Sequence, residues 1–248
     1  MKEQGIREKF AIITGSTKGI GKEIGCILLE KGYSVIFNYA NDTKTADKLD
    51  YELQKDYKGK FYIIQQRLES ENDVEAFFSL CCAITKSIDI LVLNAACTDR
   101  TSWEKTTWKQ WQKVMDVNLN APAAIVRKFH NNIEPMGNIV FIGAIMGIHM
   151  HATSISYSVS KAGIHGLTKA LVKEYCEKKI RVNAVLPGFV DTLWQKDKPA
   201  EQKERICRKV SLHRFATARE IAEIVWCVIN SSYINGSLIE ADGGYCYE

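Results

Sequence analysis

Seven short apolar runs, separated by longer amphipathic stretches, constrain this chain more than any other feature of its 248 residues. The runs cover 10–14, 34–39, 61–65, 88–93, 138–142, 181–186 and 237–240. Between them apolar residues recur at helical spacing over about 19–31, 43–56, 72–86, 108–130, 155–178 and 219–230. Short strands alternating with helices build right-handed βαβ units, whose strands lie parallel in one sheet. A parallel strand is covered on both faces, so it reads as continuously apolar, as residues 88–93 do apart from Asp89. The pattern predicts an α/β fold, a doubly wound parallel sheet of about seven strands with helices on both faces. No repeat, low-complexity tract or Pro/Gly-rich linker divides the sequence, and residues 1–248 are expected to form a single domain.

Composition narrows the function. With 46% hydrophobic and 25% charged residues, the chain is neither disordered nor fibrous. It has no uninterrupted apolar run of the roughly 18 residues a membrane span requires. The N-terminus runs into the first strand without a signal-peptide core, so a cytoplasmic location with no membrane contact is expected. A net charge of +4, scattered along the chain, suits anionic small molecules and falls short of a nucleic-acid footprint. The eight cysteines form no CxxC pair and are expected to be reduced thiols. The five histidines are not spaced with them as zinc ligands, and no metal is expected.

The loop after the first run reads Thr14-Gly15-Ser16-Thr17-Lys18-Gly19-Ile20-Gly21 and opens a helix. Glycines 15, 19 and 21 let the backbone turn tightly and approach a pyrophosphate held at the helix N-terminus. The spacing is Gly-x3-Gly-x-Gly, which is not a P-loop. In dinucleotide folds an acidic residue ending the second strand holds the ribose 2′-hydroxyl of NAD. Here that strand ends Phe37-Asn38-Tyr39-Ala40, with no carboxylate before Asp42, and Lys18 sits within the glycine loop. A missing carboxylate and an added cation favour NADP(H).

Tyr157 and Lys161 stand four residues apart in a helical stretch, hence on one face. A tyrosine near its free pKa of about 10 exchanges protons poorly at neutral pH. A neighbouring ammonium favours the phenolate and makes acid–base catalysis feasible.

Together with Asn94-Ala95, Val117-Asn118-Leu119, Asn183-Ala184-Val185-Leu186-Pro187-Gly188, Thr192 and Asp242-Gly243-Gly244, these motifs resemble the short-chain dehydrogenase/reductase family over nearly the whole length. The segments 38–40 and 187–192 are most similar to 3-oxoacyl-[acyl-carrier-protein] reductases of fatty acid biosynthesis. The resemblance implies a Rossmann fold and a ketone or acyl-thioester substrate, with acyl carrier protein as a possible partner. It assigns Tyr157 as the acid that protonates the carbonyl, Lys161 as the group that lowers its pKa and holds the ribose, and Asn118 as the anchor of a proton-relay water. Gly15 to Gly21, Asn38, Asn94, Ala95, Pro187, Gly188, Val190 and Thr192 would contact the cofactor. A spacing of four between Tyr157 and Lys161, rather than seven, speaks against the enoyl-reductase branch, and the length against the sugar-epimerase branch. A homotetramer is the assembly the family implies.

The family's catalytic serine lies thirteen residues before the tyrosine, and counting back reaches Ala144. Three departures accompany it: Ala96 where a glycine is usual, Arg67 where an acid is usual, and His149 and His151 where small residues are usual. A substitute donor (Ser154, Ser156 or a histidine of that loop), an introduced substitution, and a catalytically weakened nucleotide-binding homologue with a sensing or scaffold role are the competing explanations. Trp103, Trp108 and Trp111 cluster before Asn118 and are expected to pack the helix or an interface rather than a substrate channel. By resemblance, residues 194–210 form a lid over the substrate.

Overall fold

The computed structural model describes residues 7–150, 154–196 and 198–245. Its strands are β1 (Phe10–Ile13), β2 (Ser34–Tyr39), β3 (Phe61–Gln65), β4 (Ile88–Leu93), β5 (Ile133–Ile142), β6 (Arg181–Pro187) and β7 (Leu238–Ala241). They form one seven-stranded sheet in the order β3-β2-β1-β4-β5-β6-β7, every pair parallel. The helices are α1 (Gly19–Glu30), α2 (Thr43–Tyr57), α3 (Glu71–Ile84), α4 (Trp108–Met115), α5 (Ala121–Lys128), α6 (Ile155–Glu174), α7 (Ala200–Lys209) and α8 (Ala218–Asn230).

Strand alternation explains the two layers. Ile12, Ile36, Leu91 and Ile139 point to one face, where they pack with Phe77 of α3, Ile125 of α5 and Ile164 of α6. Their neighbours Ile13, Val35, Phe37 and Val92 point to the other, against Leu28 of α1, Leu49 of α2 and Val225 of α8. The chain leaves β3 at one edge and re-enters beside β1 as β4. That reversal opens a crevice beyond the C-terminal ends of β1 and β4, where open α/β sheets bind ligands.

Three boundaries differ from the sequence pattern. β5 begins at Ile133 rather than 138, because a register irregularity with Met136 at φ 64° absorbs Pro135 and Gly137. The helix read over 108–130 is interrupted by a π turn at Asp116–Asn120 between α4 and α5. The long helix α6 stops at Glu174, four residues early, and Lys179 turns the chain at φ 54°. Thr107 and Thr217 close capping boxes with Gln110 and Glu220, fixing where α4 and α8 start. Among the described residues no helix is long and apolar enough to cross a membrane. The seven described cysteines are unbridged.

Candidate active site

The crevice holds a cleft of about 900 Å³. One wall is the loop from β1 into α1. Gly15 adopts φ +60°, and a Cβ there would lie 2.8 Å from the Ala95 Cα. A Cβ on Gly21 would fall 2.6 Å from the Asn94 Nδ2, so both positions require glycine. Lys18 takes the N-cap place of α1 without a capping side chain, leaving the first N–H groups of the helix to a ligand. Open N–H groups, a glycine cradle and a helix dipole fit a pyrophosphate. Gly15, Thr17, Lys18, Gly19 and Ile20 line the cleft.

The loop is held by residues from four strand ends. Thr14 Oγ1 accepts the N–H groups of Asn94 and Ala95, each at 3.0 Å. Asn94 Nδ2 donates to the carbonyls of Thr14 at 3.0 Å and Gly15 at 2.7 Å. Asn38 Oδ1 accepts the Gly15 N–H at 3.1 Å, while its Nδ2 donates to the Gln66 carbonyl at 2.9 Å. Ser16 Oγ donates to the Ile13 carbonyl at 2.7 Å and accepts the Asn38 N–H at 3.0 Å. Of these braces, Ser16 is buried and does not reach the cleft, whereas Asn38 both holds the loop and lines the cleft. Lys18 is not free either. Its ammonium pairs with Asp42 at 2.6 Å and holds that carboxyl down at about 2, assisted by Thr45. Asp42, too far along the sequence to end strand two, nevertheless stands in the cleft wall.

The opposite wall carries α6. Tyr157 and Lys161 both line the cleft, with the lysine Nζ 5.6 Å from the centre of the phenol ring. The ammonium donates to the Ile142 carbonyl at 2.7 Å. Burial lowers Lys161 to about 8 and raises Tyr157 well above its ordinary value. With the ammonium turned onto a carbonyl, burial is the dominant influence on both groups. Asn118 lies in the π turn, where its Oδ1 accepts the Cys97 N–H at 2.8 Å. Its Nδ2 donates to the Cys97 carbonyl at 2.9 Å and to Ser160 Oγ at 3.0 Å. The side chain therefore ties the π turn to the segment after β4.

Ala144 follows β5, is buried, and lines the same cleft as Tyr157. Of the substitute donors, Ser154 lines the cleft, donating to the Asp99 carbonyl at 2.8 Å and lying 2.7 Å from Thr98 Oγ1. Ser156 is buried away from the cleft and His149 is exposed outside it. His151 lies outside the described residues. Asn94, Ala95, Pro187, Gly188, Val190 and Thr192 complete the floor, with Thr192 Cγ2 3.6 Å from where a Gly19 Cβ would stand. Arg67 is exposed and off the cleft.

The tryptophans fall into two groups. Trp103 and Trp111 meet edge to face at 5.9 Å, and Trp108 is largely exposed; none lines the cleft. Trp194 does, with its ring 6.1 Å from Tyr157. Its place two residues after Thr192, at the start of the lid segment, was the available signal.

Known proteins share this arrangement. The family model described as enoyl-(acyl carrier protein) reductase matches residues 15–246. The chain is 31% identical over 246 residues to the 3-oxoacyl-[acyl-carrier-protein] reductase of Aquifex aeolicus, covering 96% of this chain and 98% of that one. It is 31% identical over 245 residues to glucose 1-dehydrogenase 2 of Bacillus subtilis, covering 95% and 94%. The Pseudomonas aeruginosa RhlG/NADP active-site complex superposes with a TM-score of 0.87 at 25% identity, over 96% of each chain. A glycine-rich β1–α1 loop facing a helical Tyr157–Lys161 pair across one cleft, in a sequence matched end to end, makes this chain a member of the short-chain dehydrogenase/reductase family.

Proposed function

We propose that the chain is an NADP(H)-dependent carbonyl reductase acting on a 3-oxoacyl-thioester or a similar ketone. The observation that carries this reading is the meeting of the Tyr157–Lys161 pair and the glycine loop in one cleft. The dinucleotide, when bound, supplies the hydride. Tyr157, held protonated by burial, is in the state needed to give its proton to the carbonyl oxygen. The Lys161 ammonium, 5.6 Å from the ring centre, offsets the phenolate left behind. Lys18 at the cleft, the absence of a carboxylate at the end of β2, and the NADP of the RhlG complex support NADP(H) over NAD(H). A Tyr–Lys spacing of four, with the relatives named as ketone or sugar oxidoreductases, favours C=O over C=C as the reduced bond.

Ala144 occupies the place of the family's serine. Losing one preorganised donor at such a site lowers turnover by roughly 10²–10³. That methyl favours a second reading, a nucleotide-binding homologue of weak activity. The deciding measurement is NADPH oxidation with 3-oxoacyl thioesters and small ketones, comparing the chain with Ala144→Ser. A rise of about two decades or more in the serine variant supports the reductase scaffold. Substantial turnover unchanged by serine means Ser154 or Thr98 supplies the donor. NADPH binding with no turnover by either protein sinks the reductase reading in favour of the second.

A further inference from the structure

The charges lining the cleft are unevenly matched. Its two carboxylates are already paired within it, Asp42 with Lys18 at 2.6 Å and Glu69 with Lys113 at 3.7 Å. Arg100 and Lys198 also line the cleft, and among the described residues neither pairs with a carboxylate. They stand at the Tyr157 end. Trp194 lies beside the tyrosine ring, and the Arg100 guanidinium donates to the Trp194 carbonyl at 3.4 Å. Lys198 is half-buried, its Nζ 5.9 Å from the centre of the Phe189 ring, and its pKa is lowered by burial and by the like charge of Arg100. Two cations held close without a counter-charge repel each other unless an anion joins them.

A second, independent feature points to a ligand at the same place. Gln195 is 8% exposed, lines the cleft, and its Oε1 meets no hydrogen-bond donor. A buried amide oxygen without a donor is costly, and it calls for an N–H or O–H of the ligand beside the anion rather than for the anion itself. The lid helix repeats the polarity. Arg205 and Lys209 line the cleft and no carboxylate of that helix does, while Glu201 and Glu204 lie outside it together with Lys203 and Arg208.

We propose that Arg100 and Lys198 form an oxyanion subsite beside Tyr157, so that the carbonyl substrate carries an anionic group remote from its reacting carbon. This rests on the reductase reading and narrows its substrate class. The oxyanion is either a carboxylate of the ketone itself or a phosphodiester of the arm that carries a thioester. The glycine-loop wall, with its own uncapped helix terminus and Lys18, serves the dinucleotide. The Arg100–Lys198 cluster is therefore left to the substrate.

Two matched pairs of probes test it: acetoacetyl-coenzyme A against S-acetoacetyl-N-acetylcysteamine, and 5-oxohexanoate against its methyl ester. The readout is the anionic-to-neutral ratio of kcat/KM, measured in the Ala144→Ser background if the parent is slow. Charge-assisted hydrogen bonds of this kind imply a fall in that ratio of roughly tenfold or more in Arg100→Gln/Lys198→Gln. The exchange Arg100→Lys/Lys198→Arg, which keeps both charges, retains most of the ratio. The pair that shows the fall identifies the carboxylate or the phosphodiester as the source. A ratio unchanged on both pairs overturns the proposal. If neither protein reduces any probe, the reductase reading fails by itself. Calorimetric titration of the NADPH complex with the same pairs then decides the subsite. Preferential binding of the anionic probe, lost in the glutamine variant and kept in the exchange variant, upholds it; equal binding of anionic and neutral probes overturns it.

Discussion

Replacing Asn38 by alanine tests whether the nucleotide loop is held from behind. The side chain is 2% exposed and makes two opposed contacts, accepting the Gly15 N–H at 3.1 Å and donating to the Gln66 carbonyl at 2.9 Å. Truncation leaves both backbone groups without a partner, at about 1 kcal/mol each, since they are only partly shut off from water. The expected loss is about 2 kcal/mol, a fall in Tm of about 4–8 °C for a chain of this size. Urea unfolding with and without saturating NADPH is the assay. The stabilisation that NADPH adds should shrink as well, because the displaced Gly15 amide belongs to the cradle. Asn38→Asp sharpens the test: it keeps the acceptor for Gly15 but sets an oxygen against the Gln66 carbonyl, so it should be no better than alanine. A loss below about 0.5 kcal/mol in alanine, or wild-type stability in aspartate, would refute the bracing argument.

Two further outcomes follow from the site. Lys161 titrates near 8 in the fold against an ordinary value of 10.5. Between those pH values the unfolded chain holds a proton that the folded chain has released, so this lysine makes stability rise with pH there. Buried thiols such as Cys26, raised to about 11, act in the opposite direction, so the difference between wild type and Lys161→Met isolates the lysine. That difference should move in favour of the wild type from about pH 8 upward in urea midpoints, and a flat difference would contradict the burial of the ammonium. Asp42→Asn releases Lys18 from its 2.6 Å ion pair and removes a carboxylate from the cleft wall. The ratio of NADPH to NADH affinity, read by fluorescence titration, should increase several-fold; an unchanged ratio would mean that Lys18 does not meet a 2′-phosphate.

Much of this was legible because it is periodic or local. Continuous apolar runs gave β1 to β4 nearly residue for residue, since a doubly covered strand tolerates little else. The start of β5 was hidden because Pro135 and Gly137 read as a turn, and only tertiary pairing shows the bulge that accommodates them. Tyr157 and Lys161 were readable from their spacing along one helix. What those two groups do to each other was not, because it depends on the Ile142 carbonyl, which arrives from a different strand. The backbone bonds of Asn38 and Asn118 were not legible, because a motif shows that an amide is required, not which backbone groups it meets. Arg100 and Asp42 escaped because no local pattern brings residues so far apart in sequence to one cavity.

The braces of the glycine loop come from Thr14, Asn38, Gln66 and Asn94, all in or directly after the first four strands, whereas Tyr157 and Lys161 lie more than 60 residues further on. Chains leave the ribosome N-terminus first and fold progressively. Every one of these bracing residues is therefore made before the helix bearing the proton donor has been synthesised. The order of the genetic message puts binding ahead of chemistry, and a nascent chain that has emerged through Asn94 carries the braces of the loop without any means of moving a proton.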